Sequence, residues 1–139
     1  AGVLAPGGVQ PRSPFEAANG MPVFAHYAQS PESTRNFNEF MSFFSAGELP
    51  VVLDAVPWAS LAGKKVVDVG GSLGTVMGAV KARFPAVEAV AFDLPEVVAS
   101  VAEPPPGVEM VAGDMFQAGT IPRAGAIFMK HILHDWDDA

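Results

Sequence analysis

The chain has 139 residues, of which 50% are hydrophobic and 17% charged, with a formal net charge of -7. That balance fits one packed domain, or part of one, and argues against a disordered tail and against the basic patch that a nucleic-acid partner requires. The lack of cysteine excludes a disulfide framework, a thiolate metal site and a cysteine nucleophile.

Residues 1–14, rich in Gly and Pro, read as a loop or linker. Residues 15–60 carry helical signals. Pro22 opens a short helix through Tyr27. Ser30 caps another, with Pro31 in its first turn, where the missing N–H costs nothing. Phe37, Phe40, Met41 and Phe44 follow at helical spacing and mark one face, with Phe40 and Phe44 expected in the core. Gly47 is expected to end that helix and Pro50 to start a third, PVVLDAV.

From residue 61 the rhythm changes. KKVVDVGG is a β-branched run ending in glycines, and TVMGAVKARF after it has helical spacing. VEAVAFD reads as a second strand, LPEVVASVA as a short helix, VEMVAGD as a third strand and GAIFMKHIL as a fourth. Strands alternating with helices predict an α/β fold with a doubly wound parallel sheet, and near-continuous apolar strands fit burial on both faces.

In such a sheet, ligands sit outside the carboxyl ends of the strands. The first strand ends in Asp68, Gly70, Gly71, Ser72 and Gly74. No register of GGSLGT gives the G-x-G-x-x-G of a dinucleotide site, so a nicotinamide-dependent oxidoreductase is the weaker alternative. Asp68, just before the turn, would repel phosphate and attract an ammonium group. The second strand ends at Asp93, which can accept two ribose hydroxyls, cap the helix after it, or do both. The third ends at Gly113-Asp114-Met115-Phe116. Asp114 there is either a turn aspartate or the acceptor of an adenine amine, with Met115 and Phe116 over the ring. An ammonium contact, a ribose contact and an adenine contact together match S-adenosylmethionine.

VVDVGGSLGT, AFDLPEVV, VEMVAGDMF and FMKHILHDW stand in the order and near the spacings of the caffeic acid/acetylserotonin type of class I O-methyltransferases. FEAANGMPVFAHYAQSPE and FNEFM resemble the helical segment that precedes that family's catalytic core. The resemblance implies a Rossmann-like domain, of which residues 61–139 are the N-terminal part, with residues 15–60 lining the substrate side. It implies that Gly70 lies against the methionine part of the donor, that Asp93 and Leu94 meet the ribose, and that Asp114 and Met115 line the adenine. It places Lys130 beside the cofactor pocket, Phe37 and Met41 toward donor and phenolic ring, and His134 as catalytic base. Ser72 stands where the family's turn has its middle glycine, and His131 where many relatives carry Trp or Arg.

Family members also carry an N-terminal dimerisation domain and continue beyond the HDW segment, so the sequence is expected to be part of a longer homodimeric enzyme. Alone it is expected to be inactive and prone to aggregate along an exposed AIFMKHIL edge. The alternative is a non-catalytic fragment that only binds the donor.

The chemistry suits a histidine. A phenol titrates near pH 10 and an ordinary histidine near about 6.5, so full deprotonation before attack costs roughly 5 kcal/mol. Proton removal concerted with attack avoids that cost and contributes about 10²–10⁴-fold. A histidine at a strand end also has a plain packing role. His131, if the strand persists, would face away from His134 and serve packing or the surface. His26 reads as a surface residue, Trp136 as a core anchor and Asp135 as a helix cap. Asp137 and Asp138 read as solvated acids, and no metal is expected. The acceptor is expected to be a small aromatic hydroxyl compound, with no nucleic-acid or membrane partner. No apolar run is long enough to span a membrane, so a cytoplasmic location is expected, with a targeting segment left open because the sequence begins at Ala1.

Overall fold

Two serines show how local chemistry sets the helices at the start of the chain. The computed structural model describes residues 13–135, which fall into two units that meet in sequence at Thr34 and Arg35. Ser13 Oγ accepts the Glu16 N–H at 3.1 Å and caps α1 (Pro14–Asn19), which ends at Gly20 with φ 74°. α2 (Val23–Ala28) starts after Pro22, as expected. His26, expected at the surface, is half-buried with its ring edge-on to Phe15 at 5.3 Å. Ser30 Oγ accepts the Ser33 N–H at 3.2 Å and caps α3 (Pro31–Ala55), again as expected.

α3 departs from expectation in two ways. It runs unbroken through Gly47 and Pro50 instead of ending and restarting. Pro50 has no N–H to donate to the Ala46 carbonyl, an interior defect worth about 3 kcal/mol in isolation. Ala46, Gly47 and Pro50 are all exposed, so water can serve the freed carbonyl. Leu49, Val52 and Leu53 on either side of the defect pack on the core and hold the helix together. The second departure is the buried face. Phe40 and Phe44 are exposed, stacked on each other at 6.3 Å, and not in the core. The aromatic stripe lies roughly a third of a turn from the face that Leu49, Val52 and Leu53 bury. Continued toward the N-terminus, the buried face carries Asn38, Ser42 and Ser45, all polar.

The strands follow the β-branched runs. They are β1 (Lys65–Val69), β2 (Glu88–Asp93), β3 (Val108–Ala112) and β4 (Ala126–Phe128). All pairs are parallel, in the order β3-β2-β1-β4. α4 (Thr75–Arg83) and α5 (Pro95–Ala99) are the crossovers. Alternation along each strand splits the core between the two faces. Val66, Ala89, Ala91 and Val108 bury one face against Val76, Met77, Val80 and Trp58. Val67, Val69, Val90 and Phe92 bury the other with Met115, Ile121 and Met129. Trp58 Nε1 donates to the Val52 carbonyl at 3.0 Å, and its ring lies 5.5 Å from that of Phe128. β4 is shorter than expected, ending at Phe128, and as an edge strand it leaves Ile127 half exposed.

The order places β1 and β4 where the direction of sheet growth reverses, the position at which α/β sheets bind ligands. Among the described residues no helix is long and apolar enough to cross a membrane.

Candidate functional site

Parallel pairing puts every strand's carboxyl end on one edge of the sheet. Asp68 pairs in register with Ala91 and Phe128, and Asp93 with Ala112. Asp68, Asp93 and Asp114 therefore share one rim. Lys130, His131 and His134 follow β4 on the same side.

The first turn is held tightly against β2. The N–H groups of Gly70 and Gly71 both donate to the Phe92 carbonyl, at 2.9 and 3.1 Å. Gly70 has φ 75°, and a Cβ there would lie 2.2 Å from Ile132 Cδ1. Only glycine meets both conditions. Ser72 also has positive φ, at 51°, and its buried hydroxyl has no hydrogen-bond partner among the described residues. A serine in that region costs on the order of 1 kcal/mol or more. Ser72→Gly is accordingly expected to stabilise the fold by about 1 kcal/mol, or roughly 3 °C in Tm. Thermal melting checks this, and an unchanged or lower Tm would contradict it.

Asp93 is the clamp of the site. Its Oδ2 accepts the Ser72 N–H and its Oδ1 the Leu94 N–H, each at 2.8 Å. The first bond ties the end of β2 to the glycine turn. Asp93 is not the N-cap of α5, one of the roles the sequence left open; Leu94 holds that position without a side-chain bond. Burial raises the Asp93 carboxyl, against the two backbone donors that lower it, while Glu96 adds to the rise. A carboxylate has about four lone-pair sites, so two stay available to hydroxyl donors.

Asp68 is 3% exposed, and no hydrogen bond to its carboxylate is present among the described residues. Burial pushes it up to about 7, with Lys130 opposing and Asp93 reinforcing the rise. A buried acid of this kind gains most from a cation beside it. Because its folded value lies above the ordinary 3.8, the folded state binds the extra proton between about pH 4 and pH 7. The stability contribution is full below that window and is lost as pH rises through 7, by at most about 4 kcal/mol. Asp68→Asn should flatten this decline and leave the protein more stable than wild type at pH 8. Urea unfolding at pH 5 and pH 8 reads the difference, and an unaltered pH slope would contradict it.

At the third strand end, Asp114 Oδ1 accepts the Phe116 N–H at 2.9 Å, and the Thr120 hydroxyl donates to the Asp114 carbonyl. Asp114 is thus a turn aspartate, which leaves its other oxygen available. Gly113 before it is needed for close approach, since a Cβ would lie 2.6 Å from Phe92 Cε2. Met115 is half-buried against the Val67–Phe92 core, while Phe116 is exposed.

Beyond β4 the chain turns sharply. His131 has φ 57°, and a single 3-10 turn, Leu133–Asp135, carries His134. Because the strand stops at Phe128, the alternation expected to turn His131 away from His134 does not apply. Their rings lie 5.6 Å apart. The His134 side chain is 63% exposed, with Nε2 3.2 Å from Asp135 Oδ1. Lys130 Nζ donates to Ser45 Oγ at 2.9 Å and to Glu48 Oε2 at 3.0 Å. Glu48 also contacts His131 Nε2. The Lys130 bond is the main cause of a lowered Glu48 carboxyl; burial opposes it, and His131 lowers it further.

Ser45 and Glu48 were not singled out from the sequence. For Ser45 the sequence carries a signal, since Asn38, Ser42 and Ser45 recur at helical spacing; for Glu48 it carries none. The Asn38 amide and Ser42 hydroxyl are buried without a hydrogen-bond partner among the described residues. Phe37 and Met41 are half-buried on the same helix. Trp136, Asp137 and Asp138 lie outside the described residues. A shallow hollow lined by Lys65, Lys81, Glu88, Gly107 and Glu109 lies at the opposite, amino edge of the sheet, where Lys65 is paired with Glu109 at 3.0 Å.

Comparison with known proteins decides the family. The model of the O-methyltransferase domain matches residues 3–139. The chain belongs to the O-methyltransferase domain family. It is 43% identical over 125 residues to flavone O-methyltransferase 1 of Triticum aestivum, covering 90% of this chain and 34% of that protein. It is 40% identical over 126 residues to caffeic acid 3-O-methyltransferase of Medicago sativa, covering 90% and 33%. The chain thus spans about a third of the length of the curated relatives it matches. Among solved structures, human N-acetylserotonin methyltransferase in complex with S-adenosylmethionine superposes with TM-score 0.80 at 22% identity, covering 91% of this chain and 38% of that one. The mitomycin 7-O-methyltransferase MmcR superposes with TM-score 0.78 at 32% identity, covering 89% and 38%. The α/β fold with a parallel sheet is the fold of these O-methyltransferases.

The residues present fit a sulfonium nucleoside. A buried acid with no hydrogen bond to its carboxylate among the described residues, a glycine turn that a Cβ would fill, and a clamped carboxylate with spare lone pairs stand along one rim. A pyrophosphate fits poorly beside Asp68 and Asp93.

Proposed function

We propose that this chain is the donor-binding part of an S-adenosylmethionine-dependent O-methyltransferase that methylates a hydroxyl of a small phenolic or indolic acceptor. The observation that carries the reading is the shared rim. Asp68, Asp93 and Asp114 stand at or just beyond the carboxyl ends of three neighbouring parallel strands, and the segment bearing His134 follows the fourth.

The residues divide the work by their chemistry. Asp93, already oriented by two backbone N–H groups, accepts the ribose hydroxyls through its remaining lone pairs, beside Leu94. Asp114 accepts from the adenine amine, and Met115 supplies apolar contact to the ring. Gly70 lets the backbone approach the methionine arm, and Asp68 faces its ammonium, with Lys130 close by. When bound, the donor supplies a methyl group already activated on a positively charged sulfur, so no metal is required. His134 takes the proton from the acceptor oxygen as that oxygen attacks; its exposed ring is accessible to an acceptor. Phe37 and Met41 line the acceptor side. Relatives named for caffeic acid and flavones, both phenolic, support that choice of acceptor. The full-length enzyme is expected to be a cytoplasmic homodimer, and the isolated chain to be inactive.

Two titrations test the reading. The chain should bind S-adenosylhomocysteine and not NAD, and the full-length protein should transfer labelled methyl to a panel of phenols. Binding of NAD in preference to the nucleoside would overturn it.

A further inference from the structure

Lys130 is the central cation of the rim. Its side chain is only 15% exposed, and Nζ contacts Glu48 Oε2 and Ser45 Oγ at 3.0 and 2.9 Å. The ammonium thus donates to a hydroxyl and to a carboxylate at once, and its charge-assisted bond to the carboxylate is the stronger of the two. Here the carboxylate comes from α3. The same Lys130 is near enough to Asp68 to act on its charge, yet its hydrogen bonds point to Glu48. One half-buried cation therefore stands between two acids and is engaged by the more exposed of them.

The donor of the proposed reaction carries an ammonium and a carboxylate on the same carbon. Asp68 is suited to the first. The second needs a cation, and Glu48 already engages Lys130 Nζ. We propose that Glu48 competes with the donor's carboxylate for Lys130 Nζ, and so sets how tightly the site holds carboxylate-bearing ligands. The proposal rests on the donor-binding reading above.

The surroundings make the exchange inexpensive. The Glu48 side chain is 35% exposed, so water can take over much of its solvation. His131 Nε2, at 3.0 and 3.1 Å from the two Glu48 oxygens, gives the displaced carboxylate a partner that it need not leave. His131 is itself fixed in left-handed backbone, with its ring 5.5 Å from that of Phe44, and this favours a held second position.

Calorimetric titration tests the idea with two ligands: S-adenosylhomocysteine, and its decarboxylated analogue, which keeps the ammonium. Glu48→Gln is expected to tighten binding of the first by about tenfold and to leave the second within about twofold. Lys130→Met is expected to abolish the preference for the carboxylate-bearing ligand. If Glu48→Gln melts below the titration temperature, Glu48→Asp, too short to reach Lys130, takes its place with the same expectation. Equal changes for both ligands, no change, or weaker binding of S-adenosylhomocysteine would overturn the role of Glu48 and leave the donor reading standing. If the folded wild type and the folded variant both bind neither ligand, the donor reading falls, and the inference with it.

Discussion

Alanine at His134 in the full-length enzyme is expected to lower kcat by about 10²–10⁴-fold while leaving the affinity for S-adenosylhomocysteine within about threefold. The split follows from position. His134 lies in the turn beyond β4, after the residues assigned to the donor, with its ring exposed. With most of its side chain in solvent, its removal should cost little stability. If it acts only by proton removal, its loss appears in the chemical step and depends on the acidity of the acceptor. Acceptors with more acidic hydroxyls should lose less, because they rely less on a base. A variant that retained wild-type kcat on an ordinary phenol would remove His134 from the mechanism.

The second large effect belongs to Asp93. Asp93→Ala deletes two charge-assisted bonds at once, to Ser72 N–H and Leu94 N–H. Each such bond is worth about 1.5–3 kcal/mol, though the raised carboxyl shows that burial takes back part of that gain. A net loss of about 2–3 kcal/mol in folding stability is expected, together with at least a hundredfold loss of nucleoside affinity. Asn at the same position retains one acceptor oxygen and should recover much of the stability but little of the ribose binding. The two readouts thus separate clamp from ligand. If Asp93→Ala weakened folding but left nucleoside affinity intact, Asp93 would be a structural clamp only.

Much of this was readable in advance. Runs such as VVDV and AVAFD have no competing interpretation, because β-branched side chains buried on both faces give parallel strands. Acids at strand ends were equally plain, since the carboxyl edge of such a sheet is fixed once the strands are parallel. What failed were inferences that needed tertiary context. Pro50 and Gly47 signal a helix boundary, but packing of Leu49, Val52 and Leu53 outweighs the local preference. The Phe37–Phe44 stripe has the correct period and the wrong face. Burial there follows Asn38, Ser42 and Ser45, whose polarity hid them from a search for apolar periodicity. Strand alternation sets a direction for His131 only while the strand persists, and β4 ends three residues before it. The Glu48–Lys130 pair joins residues 82 apart in sequence, and no local pattern announces such a contact.

The central claim is that the carboxyl edge of the sheet, and not its amino edge, receives a sulfonium nucleoside. Amide chemical-shift mapping of the chain during titration with S-adenosylhomocysteine tests this most directly. The account predicts shifts concentrated at Gly70, Ser72, Leu94, Met115 and Lys130. Shifts centred instead on Lys65, Lys81, Glu88 and Glu109, or none at saturating ligand, would contradict it.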